Sequence, residues 1–220
     1  MRLFKFKNQL DWKYIFVEVF LIFIGINLAI WFNNWNTQIK IGREKKLAVS
    51  KIKEELQKNR KELRKAKEIN QLVLKAFNEY KSIYKSNSKE IVTTPLILSK
   101  LQKKYSNFFI IKDSSEIESG TFLYTGSTYI NLELPELTQI AWETTRSLDA
   151  SNQFGFECLY ELESTYNLQK RVENEVEKAA LALQKREIED LMNILEFLNQ
   201  YETQLDEDYN ATLSNLDKCL

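Results

Sequence analysis

Between Tyr14 and Phe32 the chain reads YIFVEVFLIFIGINLAIWF, and only Glu18 and Asn27 interrupt these nineteen residues with a polar side chain. A carboxyl or an amide in such a run has no water to satisfy it. It can line a path for protons or ions, or it can hydrogen-bond a neighbouring helix. At about 100° per helical residue, Glu18, Ile22, Gly25 and Ala29 share one face, and Asn27 lies half a turn away. Gly25 and Ala29 are small residues four apart, which lets two helix backbones approach closely. Polar groups on opposite faces call for neighbours on both, as in a ring or larger bundle of copies. The competing reading places Glu18 about one turn from the end of the run, where it reaches water and Lys13.

Other chemistry finds little support. The sequence has no histidine, the commonest general acid–base and metal ligand. Serines such as Ser127 and Ser147 therefore have no imidazole to activate them, and no lysine spacing suggests a substitute base. Asp206, Glu207 and Asp208 lack the glycine turn and further ligands that a hard cation needs. Cys158 and Cys219 are too far apart in sequence for metal-ligand spacing. They are either buried thiols or, if the domain faces an oxidising compartment, a disulfide. No catalytic residue, no metal site and no cofactor is expected. The 31 basic and 31 acidic side chains cancel, which argues against nucleic acid. Five glycines and two prolines are too few for phosphate loops or a hairpin-rich sheet.

The apolar run needs a helix of roughly 28 Å, close to the thickness of a hydrocarbon core. Trp12 stands at one border and Trp31 and Trp35 at the other, where an aromatic belt would sit. Asn33, Asn34 and Asn36 then mark a wet interface. The expected organisation is a basic tail over 1–13, a transmembrane helix over 14–33, a long amphipathic helix over 43–85, and the rest of a helical domain over 86–220. Arg2, Lys5, Lys7 and Lys13 on one side nearly balance Lys40, Arg43, Lys45, Lys46, Lys51 and Lys53 on the other. A short basic tail that stays inside puts the large domain outside.

After Gly42 the spacing predicts a long helix with Ile52, Leu56, Asn59, Leu63, Ala66, Asn70, Val73, Phe77, Tyr80 and Tyr84 on one seam, four and three residues apart in turn. The seam can pair with another subunit as a coiled coil or be covered within the chain. A second long helix is expected from about Ser151 to Gln204, with a possible break at Tyr166–Asn167. A turn is expected at Asp206–Asp208, then a short helix over 207–217. Pro95 opens a short helix to Tyr105, and Leu134-Pro135-Glu136 reads as another helix start leading to Leu148. Phe108–Ile111 and Thr121–Tyr124 are the credible strands. The fold class is all-α: an N-terminal transmembrane helix, a long amphipathic helix and an antiparallel bundle with a small irregular or β-like insert.

Several residues together carry a resemblance. They are Glu18, Gly25 and Ala29 in the span, the N-N-W-N of Asn33–Asn36, and E-E-L-x-x-N at Glu54–Asn59. A-W-E-T-T-R-S at Ala141–Ser147 and Tyr166-Asn167-Leu168-Gln169 add to it. The chain resembles a widespread family of bacterial single-pass inner-membrane proteins of about this length, for which no activity is implied. The resemblance implies a bacterial inner-membrane protein with a helical domain, and the basic tail, read as staying inside, then puts the large domain on the periplasmic side. Three functions fit these residues. One is a membrane-tethered, homo-oligomeric scaffold or interaction protein whose partners are lipid, its own copies or another membrane protein. Another is a small oligomeric channel through Glu18 or Asn27. The last is an extracytoplasmic ligand sensor with a pocket around Phe108, Tyr124 and Trp142.

Overall fold

The fold is that of a computed structural model, which describes residues 12–85 and 89–220. Most of the basic tail, including Arg2, Lys5 and Lys7, lies outside the described residues, as do Ser86–Ser88. Five α-helices, two short 3-10 turns and one small sheet make up the rest: α1 Trp12–Lys81, β1 Glu90–Thr93, α2 Pro95–Lys104, β2 Phe109–Glu118, β3 Thr121–Thr128, α3 Ile140–Ser147, α4 Phe156–Lys185 and α5 Ile188–Asn215. The chain divides into two compact units after Leu47.

The first unit is the early part of α1. The sequence reading separates two helices at the asparagine run, but helix continues through Asn33–Gly42 without a break. Asparagine and glycine only lower helix propensity there, and no proline forces an end. The apolar segment of α1 is long and apolar enough to cross a membrane, and none of it is buried within the chain.

The second unit, Ala48–Leu220, holds the core. The predicted seam is buried from Ile52 through Tyr80, and Tyr84 is half-buried. Its cover comes from the same chain, so the seam is not an intersubunit coiled coil. Helix α5 runs antiparallel to α1: Arg60 and Arg64 meet Asp206, Lys67 meets Thr203, and Gln71 meets Asn199. Helices α4 and α5 form an antiparallel hairpin. Thr165 bonds Thr212 inside it at 2.8 Å, and a disulfide joins Cys158 to Cys219 at its open end. Closing 61 residues of sequence with one bond stabilises the fold by about 4 kcal/mol through the entropy of the unfolded chain.

Three expected boundaries are corrected. The break falls at Arg186, not Tyr166: Arg186 is left-handed (φ 64°), and the Glu187 N–H closes onto the Ala182 carbonyl at 3.0 Å. Such a stop usually carries glycine or asparagine, so arginine conceals it. Asp206–Asp208 forms no turn and no new helix starts there, because Arg60 and Arg64 neutralise Asp206 and Tyr209 is buried inside α5. Leu134-Pro135-Glu136 starts no helix. The segment 129–139 is an irregular strap, and α3 begins at Ile140.

The insert is an antiparallel sheet of order β1-β3-β2. Both expected strands exist and run further into polar sequence than their apolar cores suggest; β1 is an addition. A Cβ on Gly126 would lie 2.2 Å from the Ile110 carbonyl oxygen, so this strand position admits glycine alone.

Candidate functional site

Two sets of polar residues could do something other than fold. The first lies on the early part of α1. Glu18, Gly25, Asn27 and Ala29 are all exposed, and nothing approaches within 4 Å of a Cβ built on Gly25. Asn27 Nδ2 donates to the Phe23 carbonyl at 2.7 Å, one turn back. That bond meets part of the amide's demand inside its own helix, so Asn27 needs less from a neighbour than its type suggests. Trp31 and Trp35 stack in parallel at 6.0 Å with Phe32 edge-on to both, while Trp12 stands exposed at the other end. Seen along α1, the Glu18–Gly25–Ala29 face and the Asn27 face remain open surfaces.

The second set is buried in Ala48–Leu220. Asn59 Oδ1 accepts the Thr138 N–H at 3.0 Å, and Asn59 Nδ2 donates to the Thr138 carbonyl at 2.6 Å. Asn70 does the same with Glu133, at 3.0 and 2.9 Å. Each side-chain amide takes the place of a neighbouring strand's backbone. Eleven helical residues separate the asparagines, about 16 Å along the axis. Five strap residues can cover that only when nearly extended, at about 3.3 Å each. The two asparagines thus hold the strap straight and antiparallel to α1. Pro135, between the clamps, has no N–H and so adds no donor that needs a partner.

One turn before Asn59, Glu55 is buried and gathers four donors: Ala141 N–H (2.8 Å), Trp142 N–H (3.4 Å), Thr138 Oγ1 (3.3 Å) and the Tyr166 hydroxyl (2.7 Å). Ala141 and Trp142 open α3, so the carboxylate satisfies amides that helix geometry leaves free. Gln169 completes the set. Its Oε1 accepts from Asn59 and Tyr209, and its Nε2 donates to Glu173 and Thr138. Burial first, and then the bond to Glu55, push the Tyr166 hydroxyl far above its usual range; burial does the same to Tyr209.

The three sequence patches that carry the resemblance after the span therefore meet: Glu55 and Asn59, Ala141 and Trp142, Tyr166 and Gln169. Trp142 also stacks on Tyr166 at 5.8 Å. Thr138, Tyr209 and the role of Glu55 were not foreseen. Only the polar members of an otherwise apolar heptad, Asn59 and Asn70, signalled the network.

The three aromatic residues of the expected pocket have separate neighbours among the described residues. Phe108 lines an open cleft of about 310 Å³ with Leu72, Val73, Ala76, Tyr105 and Tyr129. Tyr124 instead packs on Phe122, and Trp142 lies on Tyr166. Among the described residues no cluster of three or more His, Cys, Asp or Glu side chains could hold a metal. Three buried polar atoms have no partner among the described residues: Tyr80 Oη, Trp142 Nε1 and Glu202 Oε1.

The class these features define is a mostly helical protein with one helix long and apolar enough to span a bilayer, and with a disulfide-closed domain. Comparison with protein-family models, curated protein sequences and solved structures gives no match.

Proposed function

We propose that the protein is a membrane-tethered, homo-oligomeric scaffold without catalytic activity, its domain held on the oxidising side of a bacterial inner membrane. The observation that carries this reading is the contrast within α1. Its apolar segment is wholly exposed, whereas the seam that follows is filled by the chain's own residues. Exposed apolar surface of that extent calls for lipid or for other helices. The Cys158–Cys219 bond supports an extracytoplasmic domain, since such bonds are rarely kept in reducing cytosol. The bacterial location rests on the resemblance.

Assembly is assigned to the face bearing Glu18, Gly25 and Ala29, where close backbone approach would let the carboxyl bond across helices. Within the domain, Glu55, Asn59 and Asn70 bond the strap and the start of α3.

The test is the mass of the full-length chain in lipid nanodiscs. A defined oligomer that Gly25→Leu reduces to a monomer is expected. A monomer in the wild type, or an oligomer indifferent to Gly25→Leu, would contradict assembly through this face.

A further inference from the structure

Between Glu18 and Glu54 the sole acidic residue is Glu44, whereas Lys40, Arg43, Lys45, Lys46, Lys51 and Lys53 fall in the same stretch. A chain whose charges balance overall therefore carries a local basic surplus just past its apolar run. Part of that surplus is neutralised within the chain: Lys51 meets Glu54 at 2.8 Å, and Lys53 meets Asp217 at 3.2 Å. Lys45 is half-buried, while Lys40, Arg43 and Lys46 are exposed. Lys40 lies 3.8 Å from Glu44 with both side chains in solvent, a contact that contributes little. Arg43 and Lys46 have neither a hydrogen bond nor an ion pair among the described residues.

We propose, on the reading of residues 14–32 as a span, that Lys40, Arg43 and Lys46 bind the anionic headgroups of phospholipids at the border of that span. The three recur at every third residue, so they fall within about 120° of one another on one side of α1. The helix is unbroken from the apolar run through all three, which fixes their distance from it. Lys40 follows Trp35 by about 7.5 Å, Arg43 by about 12 Å and Lys46 by about 16.5 Å. A headgroup layer is about 5–8 Å thick on each side of the hydrocarbon. Side chains on a helix lean toward its N-terminus, which for these cations is the side of the apolar run, and long basic side chains carry their charge to the headgroups. Lys40 and Arg43 thus reach the phosphate level. Lys46 stays within the roughly 8 Å over which charge acts in physiological salt. An acidic protein would also suit three cations. Lipid is favoured because they adjoin the stacked Trp31 and Trp35, the pair that marks the bilayer border.

The experiment is fluorescence quenching of the full-length Trp12→Phe chain in phosphatidylcholine vesicles. Trp31 and Trp35 then report on the lipid beside the cations, since Trp142 is buried in the domain. Brominated phosphatidylglycerol is compared with brominated phosphatidylcholine. One basic side chain near an anionic surface favours it about fivefold, so a preference for the anionic lipid of about fivefold or more is expected. It should shrink with added salt, vanish when Lys40→Gln, Arg43→Gln and Lys46→Gln are combined, and rise in Glu44→Gln. Excess inorganic phosphate at constant ionic strength should leave it unchanged, which separates a lipid headgroup from a free anion. Equal quenching by the two lipids, a preference that the triple substitution leaves intact, or one that phosphate abolishes would overturn the proposal and leave the span standing. Quenching by neither lipid would overturn both.

Discussion

The two parts of α1, up to Leu47 and from Ala48 on, obey different rules within one helix. Over 14–32 the first is apolar around nearly its whole circumference and buries none of those residues; the second gathers most of its apolar residues on one side and buries the seam from Ile52 to Tyr80. A helix apolar on every face needs an apolar environment on every face, and one with a stripe needs a single neighbour. The polar residues follow the same division. Glu18 and Asn27 stand exposed on the first part, whereas Glu55, Asn59 and Asn70 on the second are buried and bonded to backbone.

The largest effect that would sharpen this contrast is confined to the second unit. Removing the disulfide with Cys158→Ser and Cys219→Ser should lower the domain's stability by about 4 kcal/mol and leave lipid association unchanged. Denaturant unfolding followed by a probe in the domain reads it. Next comes a matched pair of truncations. Leu63→Ala in the seam should cost about 3 kcal/mol through the cavity it leaves, and Leu21→Ala in the apolar run should leave the domain's unfolding midpoint where it was. Equal effects would erase the distinction between the two parts.

The expected seam is the best case of legibility. A repeat of four and three residues placed ten positions, of which nine are buried and Tyr84 is half-buried, because burial on a helix follows directly from periodicity. The strap was not legible. Its course depends on Asn59 and Asn70 reaching Thr138 and Glu133, residues 79 and 63 positions away, and no local signal encodes that distance. The stop at Arg186 was hidden by a residue type that rarely adopts φ 64°. Of the candidate sites, the exposed face of α1 was read from one stretch of sequence. The buried network could not be, since its members come from α1, the strap, α3, α4 and α5.

Glu202 tests the second unit in another way. It is 1% exposed, its Oε1 has no partner among the described residues, and burial raises its pKa to about 7, with Lys67 opposing. The neutral carboxyl is thus favoured in the folded state. Its contribution to stability is fully present below the ordinary carboxyl range, is lost as pH rises through about 7, and then stays level. The loss amounts to about 3 kcal/mol. Glu202→Gln should remove most of this slope in unfolding measured between pH 4 and pH 8. A slope unchanged by the substitution would show that the carboxyl is solvated.

The smallest expected effect is a gain. Arg186→Gly should stabilise the α4–α5 turn by up to about 1 kcal/mol, since glycine adopts the left-handed conformation without steric cost. Thermal unfolding of the full chain would show it as a slightly higher midpoint.

The most direct test of the central claim is amide hydrogen exchange of the full-length chain in lipid nanodiscs, read peptide by peptide along α1. Protection over residues 14–32 as strong as over 52–80 is predicted, by lipid in the first case and by the chain's own core in the second. Rapid exchange over 14–32 beside a protected seam would contradict it: the apolar run would then be a solvated helix with no bilayer around it.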